Sequence, residues 1–147
     1  MKLEFYKYQG AGNDFIMIDN RAGFFDHDNQ ALIESLCHRR FGVGADGLIL
    51  LENAIGYDFR MVYYNSDGRE ASMCGNGGRC IVAFARQLGI ISTSTVFIAS
   101  DGPHEANVDD LGLVDLKMID VERIESLVDG YFLNTGVPHL VHFVDDL

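Results

Sequence analysis

Hydrophobic and polar positions alternate from the start of the chain. Leu3, Phe5 and Lys7 fall on one side of residues 3–8 and Glu4, Tyr6 and Tyr8 on the other, which predicts a strand. Gly10-Ala11-Gly12-Asn13-Asp14 breaks it, and Phe15 to Ile18 predict a second short strand. Leu32 with Leu36, and Ile33 with Cys37, make an apolar stripe at four-residue spacing, so a helix is expected over 30–40. Asp28 or Asn29 would cap it, and Phe41-Gly42-Val43-Gly44 would stop it. Leu48 to Leu51 are continuously apolar, as in a strand buried on both faces. Over 58–64 the alternation returns, with Phe59, Met61 and Tyr63 set against Arg60, Val62 and Tyr64. Asn65-Ser66-Asp67-Gly68 then has the composition of a turn.

Gly75, Gly77 and Gly78 open a segment expected to be helical from about Arg79. From Cys80 to Leu88 it is apolar on nearly every side, and Gly89 ends it. A helix apolar all round is buried all round, which in a chain this small means a helix wrapped by sheet. Strands are expected at 95–99, 104–108 and 113–118, separated by Asp101-Gly102-Pro103 and Asp110-Leu111-Gly112. A domain boundary is placed near 119, giving a first domain over 1–119 and the start of a second over 120–147. Residues 120–129 read as a short helix or linker, and Tyr131–Leu133 and Leu140–Val144 as strands.

At 147 residues the chain holds one domain, or one domain and the start of another, and its 48% hydrophobic content supports a sizeable core. The net charge of −11 argues against nucleic acid and anionic membrane surfaces as partners, because both reward clustered Lys and Arg. No run of 18 apolar residues exists, and MKLEFYKYQG lacks the apolar stretch of a signal peptide, so a cytoplasmic location is expected. Three cysteines, Cys37, Cys74 and Cys80, are too few and odd in number for a disulfide framework.

Candidate chemistry concentrates at Cys74. It stands immediately before the glycine-rich helix start Gly75-Asn76-Gly77-Gly78. The first amides of a helix lack internal partners and carry the positive end of its dipole, which suits a carboxylate or phosphate. The same field favours the thiolate of an adjacent cysteine. A small buried core residue is the alternative for Cys74. The string lacks the Gly-Lys-Ser/Thr ending of a nucleotide loop, and no Gly-x-Gly-x-x-Gly fingerprint is present. Cys74 and Cys80, six apart, fall on different helix faces, which disfavours shared metal binding or a disulfide. His139 and His142, three apart on a strand, point to opposite faces, so no metal site is expected there either. Cys37 and Cys80 read as core.

Three segments together resemble the diaminopimelate epimerase family. They are Lys7-Tyr8-Gln9-Gly10-Ala11-Gly12-Asn13-Asp14-Phe15, then Gly42-Val43-Gly44-Ala45-Asp46-Gly47-Leu48, and finally Asn65-Ser66-Asp67-Gly68 through Met73-Cys74-Gly75-Asn76-Gly77-Gly78-Arg79-Cys80. Thr135-Gly136-Val137-Pro138-His139 resembles the opening of that family's second domain. The resemblance implies an α/β (α+β) fold: a mixed, mostly antiparallel sheet curled around a central buried helix, one half of a pseudo-symmetric two-domain enzyme with its active site in the cleft. It implies an isomerase of lysine and cell-wall precursor biosynthesis that interconverts LL- and meso-diaminopimelate without cofactor or metal. By position, Cys74 is one of two acid/base thiols, and Gly75 and Asn76 bind the substrate carboxylate by their amides. Asn13 and Asn65 hold the substrate, and His139 modulates the thiols. Read alone, Asn13 and Asn65 are equally turn residues, and His139 an ordinary core or surface histidine. A homodimer of the complete protein is left open.

Two positions depart from the family's pattern. Val137 stands where an Asn commonly precedes Pro-His, with Asn134 as a neighbouring substitute donor, and Gly47 stands where some members have Gln. The second catalytic cysteine does not occur in these 147 residues, so the chain by itself is expected not to invert a stereocentre. Two competing readings remain: a proline or hydroxyproline racemase using the same thiol logic, and a non-catalytic half that binds a carboxylate or assembles with a partner chain.

Overall fold

In a computed structural model that describes residues 3–146, the chain forms two compact units meeting between Lys117 and Met118. Met1, Lys2 and Leu147, at the ends of the two expected domains, lie outside the described residues.

The first unit is a seven-stranded sheet with strands in chain order: β1 (Tyr6–Gly10), β2 (Asn13–Asp19), β3 (Gly47–Glu52), β4 (Arg60–Asn65), β5 (Ser94–Ala99), β6 (Gly102–Val108) and β7 (Val114–Leu116). Neighbours pair antiparallel except β2–β3 and β4–β5, which are parallel. Parallel neighbours need a crossover. The first carries helix α1 (Gln30–Cys37) and the second helix α2 (Gly75–Gln87). Helix α2 touches both edge strands, β1 and β7, and also β2, β3, β4 and β6, so the sheet curls around it.

The side-chain alternation of β2, β3 and β4 feeds two cores. Phe15, Met17, Ile49, Leu51, Phe59 and Met61 pack with Ile81, Val82, Phe84 and Ala85 of α2. Ile16, Ile18, Leu48, Leu50, Val62 and Tyr64 pack on the opposite side with Ile33 and Cys37 of α1. This two-sided cover explains the unbroken apolar runs in β2 and β3. The outer strand β6 is covered on one face only, burying His104, Ala106 and Val108 between exposed neighbours.

Several element bounds differ from the expectations. Strand β1 starts at Tyr6, and the break before β2 narrows to Ala11-Gly12, with Asn13 and Asp14 inside the strand. Asn29 is the cap of α1, its side chain accepting from Leu32 N–H. That helix ends at Cys37, because His38 turns extended and the chain folds back so that Gly44 N–H reaches the Leu36 carbonyl. Helix α2 begins at Gly75 rather than Arg79. Residues 120–129 contain neither a helix nor a mere linker. Ile124–Leu127 form β8, because they pair with β9 (Gly130–Asn134) across a two-residue connection. Strand β9 also pairs with β10 (Pro138–Val141), and this three-stranded antiparallel sheet is the second unit. The strand expected over 140–144 therefore starts earlier and stops at Val141. No helix among the described residues is long and apolar enough to cross a membrane.

Candidate active site

Cys74 is the N-cap residue of α2, in extended backbone conformation, and its side chain makes no capping hydrogen bond. The first internal bond of the helix runs from Gly78 N–H to the Cys74 carbonyl at 2.7 Å. The amides of Gly75, Asn76 and Gly77 precede it and have no carbonyl one turn back within the helix, which leaves donors at the positive end of the dipole beside the thiol. Cys74, Gly75 and Asn76 are half-buried. The other two thiols are core: Cys37 and Cys80 are 2% and 4% exposed, and burial pushes each up to about 11.

The glycines of the helix start have a packing reason that the sequence did not disclose. A Cβ on Gly77 would lie 2.9 Å from Ile49 Cδ1, and one on Gly78 would lie 2.7 Å from Leu116 Cδ2 and 2.9 Å from Met73 Cε. Both glycines let α2 press onto the sheet, and only Gly75 stays at the half-buried front. The end of β1 makes a similar approach, since a Cβ on Gly10 would stand 3.2 Å from the Asn76 carbonyl oxygen.

A chain of hydrogen bonds joins the three singled-out segments. Arg79 donates to Asn76 Oδ1, Asn76 Nδ2 donates to Asn13 Oδ1 at 3.2 Å, and Asn13 Nδ2 donates to Asp46 Oδ2 at 2.7 Å. Arg39 Nη2 then bridges Asp46 Oδ1 and Asp14 Oδ1, each at 2.7 Å, and Lys7 Nζ reaches Asp14 Oδ2 at 2.8 Å. The Arg39 guanidinium foremost, with Lys7, holds the Asp14 carboxyl well below the usual carboxylate range against partial desolvation. Asp46 is held low chiefly by the Asn13 amide. Asn13 and Asn76 thus brace each other at the mouth of α2. The side chain of Asn76 is bonded at both ends, and its backbone N–H is one of the first-turn donors at the start of α2. Sequence reasoning missed Arg39, Asp14 and Asp46 as the frame of the site. The signal was there in Asp14 and Asp46, each inside a recognised segment.

Asn65 ends β4 on the same face as Met61 and Tyr63, and it also opens the turn, its carbonyl accepting from Gly68 N–H at 2.9 Å. Its side-chain oxygen accepts from the Tyr63 hydroxyl at 2.9 Å. His139 lies in the second unit on β10. Its Nδ1 is 2.8 Å from the Val137 carbonyl oxygen and 3.2 Å from Thr135 Oγ1. A carbonyl can only accept, so in the neutral ring Nδ1 carries the proton and Nε2 is the acceptor. Asn134 is engaged locally, its Oδ1 accepting from Gly136 N–H at 2.9 Å. Among the described residues no group of three His, Cys, Asp or Glu is placed to hold a metal ion.

The sequence profile of diaminopimelate epimerases matches residues 5–121. The chain belongs to the diaminopimelate epimerase family. It is 59% identical over 146 residues to the diaminopimelate epimerase of Flavobacterium psychrophilum, covering 99% of this chain and 57% of that protein. It is 45% identical to the diaminopimelate epimerase of Chlorobaculum tepidum, covering 94% of this chain and 56% of the relative. The chain therefore spans little more than half the length of these family members. Among solved structures, a Bacillus anthracis phenazine biosynthesis protein of the PhzF family superposes with a TM-score of 0.68 at 18% identity, over 88% of this chain and 45% of that one. A hydroxyproline epimerase from Agrobacterium vitis superposes at 0.62 and 13% identity, over 88% and 47%. Both share the sheet curled around a helix, the fold expected from the family resemblance.

Proposed function

We propose that this chain contributes one half of the active site of a diaminopimelate epimerase, with Cys74 as one of two acid/base thiols that interconvert LL- and meso-diaminopimelate without a cofactor. The observation that carries the reading is the placement of Cys74 at the N-cap of α2, with the Gly75 and Asn76 amides next to it and the Asn13–Asn76 brace behind them. Removing an α-proton from an amino acid without an electron sink leaves charge on the carboxylate. Pre-oriented amides at a helix N-terminus stabilise that enediolate-like charge without reorganising.

Inversion needs a base on one face of the α-carbon and an acid on the other. A single thiol returns the proton to the face it came from. Neither remaining cysteine suits the second role, because both are buried in the core and held protonated. The second thiol is accordingly supplied by sequence outside these residues, consistent with the greater length of the relatives. In this reading Asn13 and Asn65 orient the amino acid, and His139 modulates the thiols.

The test is incubation with LL-diaminopimelate in D₂O, following configuration and α-deuterium together. The chain alone shows no inversion. Joined to the remaining portion of a relative such as the Flavobacterium psychrophilum protein, it inverts the centre with deuterium uptake, and Cys74→Ala lowers the rate by about 10³-fold, the weight of one acid–base group. Inversion by the isolated chain would overturn the two-thiol assignment. Inversion of proline or hydroxyproline in place of diaminopimelate would replace the substrate.

A further inference from the structure

Strand β4 carries a residue that the family motif does not single out. Tyr63 is half-buried on the α2 face of the sheet, two positions before Asn65 and therefore on the same side. Its ring meets Phe15 edge-on, with centroids 6.0 Å apart. Across the strand pair, Asn65 is registered opposite Gly47. A Cβ on Gly47 would lie 2.5 Å from Tyr63 Cε2, 3.2 Å from the Tyr63 hydroxyl and 2.5 Å from the Tyr64 carbonyl oxygen. The phenol thus occupies the space where a side chain at position 47 would stand. Its hydroxyl is bonded to Asn65 Oδ1 at 2.9 Å.

We propose that Tyr63 is a positioning residue for substrate recognition: lying over Gly47, it donates its hydroxyl proton to Asn65 Oδ1 and so presents the Asn65 Nδ2 hydrogens to a carboxylate oxygen of the amino acid bound beside Cys74. The proposal rests on the reading of Cys74 and its surroundings as an amino-acid site. Its chemistry follows from the donor inventory. An amide whose oxygen is turned toward the phenol directs its two N–H donors the other way, and these favour an acceptor such as a carboxylate over a donor such as an ammonium. Burial first, and the nearby Cys74 next, push the phenol up to about 12, so it keeps its proton and remains a donor across the working pH range. Two neighbours then exclude a side chain at 47, the Tyr63 ring and the Tyr64 carbonyl oxygen, and the first makes the departure from the family's pattern one half of a pair.

Two measurements on the chain test this, one without ligand and one with it. In the ligand-free protein the Asn65 side-chain amide resonances, assigned by their loss in Asn65→Ala, shift in Tyr63→Phe, which keeps the ring over Gly47 and removes only the hydroxyl. Unmoved resonances would overturn the proposal whether or not an amino acid binds. In the second measurement, diaminopimelate protects Cys74 from alkylation, followed by intact mass, and the concentration dependence gives a dissociation constant. Tyr63→Phe weakens protection about fivefold, the weight of one neutral hydrogen bond. The same change has no further effect in an Asn65→Ala background, because the two residues act as one unit. Equal losses in both backgrounds, or none in either, would overturn the positioning role. Shifted amide resonances with no protection by diaminopimelate at any concentration would instead sink the amino-acid site, and the substrate half of this proposal with it.

Discussion

On β3 of the first unit, Leu48, Ile49, Leu50 and Leu51 are all fully buried, turned alternately toward α1 and α2. On β9 of the second unit, Tyr131 and Phe132 remain 42% and 38% exposed, and no described residue of that unit is buried. Both strands are apolar and both are central in their sheets. The difference is what lies on each face: β3 is covered by a helix on both sides, whereas β8, β9 and β10 have hydrogen-bonded neighbours and no covering layer of their own. Strand pairing organises a backbone, and burial against a second layer makes it stable. The first unit has the means to be a stable scaffold for Cys74, and the second, by itself, does not.

The sharpest way to break that comparison is native-state hydrogen exchange. Amides of β2, β3 and β4 are expected to exchange only through global opening, slowed by roughly 10³-fold or more for a domain of ordinary stability, while those of β8–β10 exchange close to the unprotected rate. Equal protection in the two sheets would mean that the second unit is stabilised by contacts other than its own. Substitution gives the next largest contrast. Phe84 is fully buried on α2, with its ring 5.0 Å from Tyr6 and 5.8 Å from Tyr8. Phe84→Ala is expected to cost about 3–5 kcal/mol in urea unfolding. Phe132→Ala should cost less than about 1 kcal/mol, as exposed substitutions do.

The smallest effect is electrostatic and belongs to the first unit alone. Arg39 and Lys7 hold the Asp14 carboxyl below its ordinary value of 3.8 in the folded chain. These pairs therefore stabilise the fold fully above that value, and the contribution is lost as pH falls through the folded one. Acid titration of the unfolding midpoint should show a shallower decline in Asp14→Asn than in the parent, and an unchanged decline would remove Asp14 from the frame of the site.

Much of this arrangement was legible in the residues. The unbroken apolar run 48–51 announced a strand covered on both faces, and the largely apolar 80–88 announced a helix wrapped by sheet. The start of α2 was misjudged because Gly75-Asn76-Gly77-Gly78 has poor helix propensity, which close packing on Ile49, Met73 and Leu116 overrides. Strand β8 was missed because Ile124–Leu127 sits between acidic and basic residues and becomes a strand only by pairing with β9. At the site, the Cys74 motif pointed to the thiol and its amides. The bracing by Arg39 across Asp14 and Asp46, and the Tyr63 hydroxyl on Asn65, join residues 2 to 25 positions apart, and only folding brings the distant ones together.

Helix α2 is gripped by the first and the last strands of its sheet. As the chain emerges from a ribosome, residues 75–87 appear long before Val114–Leu116, and until those arrive one flank of the helix has nothing to lie against. Cys74 and the first-turn amides beside it are thus held in place only when the sheet closes at β7, so a nascent chain completes the start of α2 in the last step of building the unit that holds it.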